Sequence, residues 1–284
     1  MIKKVIVPAA GLGTRLLPVT KELPKEMLPV FFKRKNGRVH LKPLLQTVFE
    51  QLYDEGFREF GFIVGRGKRA IEDHFTTGYG LVEYLKKKNK TDLASELQEF
   101  HYKVNNSTIV FINQPKPKGF GHAVYKAKAF TQNEPFLIHA GDNFVISENN
   151  RHLKKMIKIF ENRDAEAVFL VEEVEDPRGY GVMIGTEIEP YVFKVKRVIE
   201  KPKEPPSNLA IIALYAFKPI IYKAIEKVKP DESGEIQLTD AIQLLLDWQC
   251  DLYALKLRPG ERRIDIGLPE TYLETIRGIL QYPS

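Results

Sequence analysis

Cysteine is almost missing from this chain. Cys250 is the only one in 284 residues, so no internal disulfide can close and no cysteine-based metal site can form. Without a partner thiol an oxidising compartment offers nothing. No basic-then-apolar leader precedes the first strand pattern, and the cytoplasm is the default location. Long apolar runs are missing too, and none could span a bilayer. A strong excess of one charge is also lacking: Lys and Arg number 43 against 37 Asp and Glu, a net of +6. That favours small anionic ligands and does not by itself argue for nucleic acid. The densest basic run, Lys86-Lys87-Lys88-Asn89-Lys90, has no interleaved aromatics. It is read as the solvated end of a helix rather than a nucleic-acid patch. No internal repeat is visible. The length suits one large α/β domain with insertions, or two small domains.

What is present is a rhythm. Lys3 to Ala10 is small and β-branched almost throughout, as in a strand buried on both faces of a parallel sheet. Pro43 opens a helical pattern of Leu44, Leu45, Val48, Phe49 and Leu52 that Gly56 closes. Strands over 60–64, 108–112, 136–139 and 167–171 alternate with helices over 70–75, 81–100, 121–130 and 151–160. This βαβ order predicts right-handed crossovers and a sheet covered by helices. After residue 170 the texture changes to strands over 179–184, 192–199 and 210–217 joined by short turns, either a β-rich lobe or the end of the same sheet. Helices over 219–228, 238–248 and 269–280 flank a last strand over 252–257. Phe32 to His40, polar and basic around Gly37, is read as a loose surface loop. The expected fold is α/β: a Rossmann-like, mixed but mainly parallel sheet flanked by helices, in a single domain spanning 1–284.

The chemistry begins where the first strand ends. Gly11 and Gly13 let backbone N–H groups approach a ligand and form an anion-binding nest. Arg15 can fork onto phosphate oxygens, and Lys21 and Lys25 add positive charge. A Gly-x-Gly alone serves equally well as a tight turn. Gly11-x-Gly13-x-x-Leu16 lacks the third glycine of a dinucleotide fingerprint, and no Gly-Lys-Ser/Thr of a P-loop follows. An NAD-linked dehydrogenase fails on that ground. Pro24 restricts the backbone at Lys25, whose bland alternative is a salt bridge to Glu22 or Glu26. Asp142, in Gly141-Asp142-Asn143, follows a strand end and so faces the crevice of an α/β sheet. Asp265, far along the chain, offers a second carboxylate. Either alone serves as a turn or cap residue; together they would hold Mg²⁺. Gln114 could satisfy the donors and acceptors of a base, or be a surface residue before a proline. His122 and His139 are read as structural, His139 as a satisfied core histidine.

Ala10-Gly11-Leu12-Gly13-Thr14-Arg15-Leu16-Leu17-Pro18, followed by Pro24-Lys25-Glu26-Met27-Leu28-Pro29, resembles the signature of the sugar-1-phosphate nucleotidylyltransferases. Within that family it is most similar to the bacterial and archaeal uridylyltransferase branch, over essentially the whole chain. The resemblance implies that residues 1–170 mainly bind nucleotide, through Ala10, Gly11, Gly13, Thr14, Arg15, Lys25, Gln114 and Gly119. It implies that 171–284 mainly bind sugar, with Gly181, Glu200 and Lys201 on the sugar phosphate. Asp142 and Asp265 correspond to the family's Mg²⁺ ligands, and Arg15, Lys25, Asp142 and Lys201 to its catalytic machinery. The implied reaction joins UTP and glucose 1-phosphate to UDP-glucose and pyrophosphate in a homodimer or homotetramer, with no nucleic-acid or membrane partner. Gly234-Glu235-Ile236-Gln237-Leu238-Thr239-Asp240 matches a family segment near the site and is expected to have no direct catalytic role. Ile212-Ala213-Leu214-Tyr215 departs from the family's Gly-Arg-Tyr, which leaves the sugar preference open. Ile266 stands where the branch more often has Cys. The rivals are a dTTP-using thymidylyltransferase, a UTP–N-acetylglucosamine-1-phosphate enzyme, and a non-catalytic nucleotide-sugar sensor.

Overall fold

A computed structural model describes residues 1–33, 39–78 and 80–279. Its strands are β1 (Lys4–Pro8), β2 (Pro29–Lys33), β3 (Val39–Pro43), β4 (Glu59–Val64), β5 (Thr108–Asn113), β6 (Phe136–His139), β7 (Asn143–Ile146), β8 (Ala167–Glu173), β9 (Gly181–Glu189), β10 (Val192–Glu200), β11 (Leu209–Phe217), β12 (Leu252–Lys256) and β13 (Arg262–Asp265). Its helices are α1 (Leu44–Asp54), α2 (Arg69–His74), α3 (Leu81–Lys87), α4 (Thr91–Asn105), α5 (Phe120–Lys126), α6 (Lys128–Thr131), α7 (Arg151–Asn162), α8 (Ile220–Ile225), α9 (Leu238–Asp247) and α10 (Pro269–Ile279). Among the described residues no helix is long and apolar enough to cross a membrane.

β1 is buried at every position because it lies inside a nine-stranded sheet of order β5-β4-β1-β6-β11-β8-β12-β10-β9. Its side chains alternate between two cores. Val5 and Val7 join the layer of α1, α4 and α7, while Ile6 joins that of α5, α8 and α9. The result is a sheet between two helical layers. Pairings β5–β4, β4–β1 and β1–β6 are parallel. Parallel character then recurs only at β8–β12; β11 is antiparallel to β6 and β8, and β10 to β12 and β9. The reason is connection length: β9 and β10 are adjacent in the chain and can pair only as a hairpin. β9 also meets β11 at Val182–Ala210. The later strands therefore extend the first sheet and curl back on it.

Several elements differ from the sequence expectation. The helix expected over 81–100 is two helices, α3 and α4, parted where Asn89 takes φ +56°. The helix expected over 121–130 is likewise two, α5 and α6. Phe32 and His40 are not loose: they pair across the β2–β3 ladder, as do Lys33 and Val39, while 34–38 lie outside the described residues. On α10 Tyr272 packs inward, its Oη donating to Pro29 O at 2.8 Å. The helix expected over 269–280 is described through Ile279, and Leu280 lies outside the described residues.

Candidate active site

Because β1, β4, β5 and β6 run parallel, their carboxyl ends open on one side of the sheet. After β1, Ala10 is buried. Gly13 takes φ +66°, and its carbonyl accepts from Thr20 Oγ1 at 2.8 Å. Thr14 and Arg15 stand exposed on a single 3₁₀ turn, Thr14–Leu16. Arg15 has no hydrogen-bond or ion-pair partner among the described residues. Lys21 lies apart, exposed and only 3.9 Å from Glu22.

Lys25 opens a further 3₁₀ turn, Lys25–Met27, after Pro24. Its ammonium reaches neither Glu22 nor Glu26 as its ion-pair partner. It donates to Asp142 Oδ2, 117 residues on, and the two side chains are 20% and 18% exposed. A Cβ on Gly11 would lie 3.9 Å from Lys25 Cε, which puts the first loop beside this pair. Asp142 foremost, then Glu26 and Asp265, hold the Lys25 ammonium well above its ordinary range against the opposing effect of burial. Burial would raise the Asp142 carboxyl, but Lys25 and a 3.1 Å bond from Asn143 Nδ2 bring it below the usual range.

Asp265 reaches Asp142 through the small β7–β13 sheet. Asn143 is opposite Asp265 in that antiparallel ladder, and Ile266 N donates to Asp142 O at 3.3 Å. Arg263, two residues earlier and so on the same strand face, donates to Asp265 Oδ2 at 2.6 Å, Glu172 Oε2 at 2.7 Å and Tyr180 Oη at 3.1 Å. The sequence reading left Arg263 without a role, because the four-residue strand that aims it at Asp265 is too short to show alternation. Gly267 N donates to Asp265 Oδ1 at 2.7 Å. Asp142, just before β7, and Asp265, at the end of β13, with no third His, Cys, Asp or Glu grouped with them among the described residues, make a hard oxygen donor set. It fits Mg²⁺, which takes one or two carboxylates and completes its shell from water and phosphate oxygens.

Tyr180 carries the arrangement to the later strands. Its carbonyl accepts from Lys201 N at 3.0 Å, and Gly181 pairs with Glu200. A Cβ on Gly181 would meet Thr239 Oγ1 at 2.8 Å and Glu200 Oε2 at 3.2 Å, so a side chain there would push both groups aside. Lys201 Nζ lies 3.0 Å from Glu200 Oε1, and Lys201 itself takes φ +39°, a conformation rarely adopted outside glycine. Beyond β5, Gln114 is 4% exposed. Its Nε2 donates to His122 Nδ1 at 2.8 Å and to Gly119 O at 3.4 Å. Gly119 takes φ +90° at the start of α5. A Cβ on Gly65 would sit 3.2 Å from Gln114 O and 3.4 Å from Ala10 O, which returns to the first loop. Lys25–Asp142–Asp265 and Glu200–Lys201 are thus separate clusters, joined through Arg263 and Tyr180.

A family model described as nucleotidyl transferase matches residues 4–281. The chain belongs to the nucleotidyl transferase family. This nucleotidyl transferase is 38% identical to the UTP–glucose-1-phosphate uridylyltransferase of Pseudomonas aeruginosa, over 96% of the chain and 94% of that relative. It is similar to a solved UDP-glucose pyrophosphorylase complexed with UDP-glucose, with TM-score 0.84, 33% identity and 99% of each chain covered. It is also similar to a UTP-bound UGPase from Acinetobacter baumannii, with TM-score 0.86, 29% identity, and 100% and 95% of the two chains covered.

Proposed function

We propose that this nucleotidyl transferase joins UTP and glucose 1-phosphate into UDP-glucose and pyrophosphate. The observation that carries the reading is the cluster of Lys25, Asp142 and Asp265 at the open end of the sheet. An oxygen of the sugar phosphate attacks the α-phosphorus of UTP; that P–O bond forms as the bond to the β-phosphate bridge breaks, and pyrophosphate leaves. The attacking oxygen already carries charge, so no side-chain nucleophile or base is required. Catalysis is alignment with charge neutralisation.

The nest around Ala10, Gly11, Gly13 and Thr14 offers amides to the triphosphate. Arg15 has a free guanidinium to place on it, and Lys25, held protonated at working pH, supplies fixed charge. Gln114 and Gly119 read the uracil. Gly181 lets the sugar close on the backbone, Glu200 accepts from its hydroxyls, and Lys201 faces its phosphate. Asp142 and Asp265 are the residues that would hold Mg²⁺, which when bound offsets charge on both substrates' phosphates. In this reading residues 1–170 serve the nucleotide and 171–284 the sugar within one domain. The assembly is a homodimer or homotetramer, as the family resemblance suggests, and the enzyme works in the cytoplasm on small molecules, without nucleic acid or membrane. Mass in solution tests the assembly.

The test is pyrophosphate release across a matrix of nucleotides and sugar phosphates with Mg²⁺. UTP with glucose 1-phosphate should give the highest kcat/KM. A clear preference for dTTP, or for N-acetylglucosamine 1-phosphate, would reassign the substrates, and no turnover with any pair would leave a sensor. Lys25→Ala should cut turnover at least a hundredfold, the order expected for losing one group that stabilises transition-state charge. Near-normal turnover would remove Lys25 from the mechanism.

A further inference from the structure

Residues 231–240 offer no reacting group, yet they touch both halves of the site. At one end Asp231 closes a turn. Its Oδ1 accepts from Ser233 N at 2.8 Å, Ser233 Oγ at 2.6 Å and Glu235 N at 3.0 Å, and its Oδ2 from Gln237 Nε2 at 2.8 Å. These bonds hold the Asp231 carboxyl well below its ordinary range. The turn presents Ile236 to the loop of Gly119. Ile236 N donates to Lys118 O at 2.9 Å, and Gly121 N donates to Ile236 O at 2.8 Å. The approach leaves no room for a side chain: a Cβ on Gly119 would lie 2.7 Å from Ile236 O, and one on Gly121 2.8 Å from the same atom.

Three residues after Ile236, Thr239 Oγ1 donates to Glu200 Oε2 at 2.6 Å. The other oxygen of Glu200 faces Lys201 Nζ at 3.0 Å. Glu200 stands at the end of β10 and has three rotatable bonds, so its direction is decided by what holds its oxygens. Thr239 is 6% exposed and lies in the first turn of α9, where its hydroxyl is fixed by packing. Lys201 is the more exposed partner, with a side chain 48% exposed.

We propose that residues 231–240 form a positioning strut between the two substrate subsites, in which Thr239 aims Glu200 and Asp231 seats the Gly119 loop. The inference rests on the sugar and base roles given above to Glu200 and Gly119. The strut predicts that its two ends act on different substrates.

The experiment measures KM for each substrate separately, using the nucleotide and sugar phosphate that the wild-type enzyme turns over best. Thr239→Ala should raise KM for the sugar phosphate roughly tenfold, the size of one hydrogen bond to a charged group, and leave KM for the nucleotide within about twofold. Thr239→Ser keeps the hydroxyl and should restore the sugar KM. Asp231→Ala should do the converse, raising KM for the nucleotide and sparing the sugar. Alanine suits the first turn of a helix at least as well as threonine, so the fold should survive, and Thr239→Ser guards against a packing artefact. Equal effects of Thr239→Ala on both substrates, an unchanged sugar KM, or no rescue by serine would each overturn the strut while the wild-type activity stands. A wild type that turns over no pair would overturn both readings, and the parallel wild-type measurement tells the two cases apart.

Discussion

His152 and His139 are both 1% exposed. Neither ring nitrogen of His152 has a hydrogen-bond partner among the described residues. His139 donates Nδ1–H to Ala140 O at 2.9 Å, and its Nε2 is unpartnered among the described residues. The sequence reading put His139 inside a strand, where it lies, and expected a satisfied histidine; only Nδ1 is satisfied, because what faces Nε2 depends on elements packed from elsewhere. Burial pushes His139 down to about 4 and His152 to about 3, and the mutual repulsion of the rings adds to the second shift. In the unfolded chain both titrate near 6.5. Between those values the unfolded state binds more protons, so stability rises with pH there. It is fully present above about 6.5 and lost as the solution is acidified towards the folded-state values. At about 1.4 kcal/mol per pH unit, each histidine removes roughly 2 kcal/mol by pH 5. The urea midpoint should therefore fall between pH 7 and pH 5, and His152→Leu should flatten that fall by about half of the two histidines' share. Identical slopes in the variant and wild type would show that His152 does not carry this cost.

At the scale of an element, the turn Lys25–Met27 depends on a pair the sequence did not disclose. Glu26 points inward and accepts from Lys68 Nζ at 2.9 Å, with side chains 2% and 6% exposed. Burial raises the Glu26 carboxyl, and Lys68 and Lys25 oppose that rise. The turn itself was legible, since Pro24 and Pro29 bracket it and Lys25 was singled out. Its partners were not: Lys68 is 42 residues on in the loop after β4, and no periodicity links the two. β7 and β13 escaped for a similar reason. Each is four residues long, too short to show alternation, and their side chains meet across 120 residues, Arg263 Nη1 donating to Asn143 Oδ1. A buried pair broken on one side leaves a bare charge, a cost of about 3–5 kcal/mol. Lys68→Met should lose that much stability in denaturant titration and also lower turnover, because the strand-to-turn anchor behind Lys25 is gone. Adding Glu26→Leu should recover most of the stability. If the double variant is no more stable than Lys68→Met, the cost is one of packing rather than of uncompensated charge.

Across the whole molecule, the alternation of β1, β4, β5, β6 and β8 with helices was readable because each of these strands announces itself within a few residues. Closure was not readable. The return of β9 to β11 and the β7–β13 ladder are decided by the curl of the finished sheet; the ladder brings the second carboxylate beside Asp142, and Arg263 and Tyr180 link it to the Gly181–Glu200 pair. Contacts run from Gly11 to Lys25, Asp142 and Asp265, then through Arg263 and Tyr180 to Glu200, Thr239, Ile236, Gly119 and Gln114, and past Gly65 back to Ala10. The ring draws on loops from both ends of the chain, and such loops open locally far more readily than the core strands do. A ligand that binds only the closed ring shifts those openings together, by about 2.7 kcal/mol at a hundredfold excess over Kd. Amide hydrogen exchange followed by mass spectrometry should therefore show UTP with Mg²⁺ slowing exchange in peptides covering 10–18, 116–122 and 231–237 in concert. The last of these should respond although nothing in it is assigned to touch the nucleotide. Protection of the first two with none at 231–237 would mean that the base loop moves independently of the segment behind it, and that the ring of contacts does not act as one body.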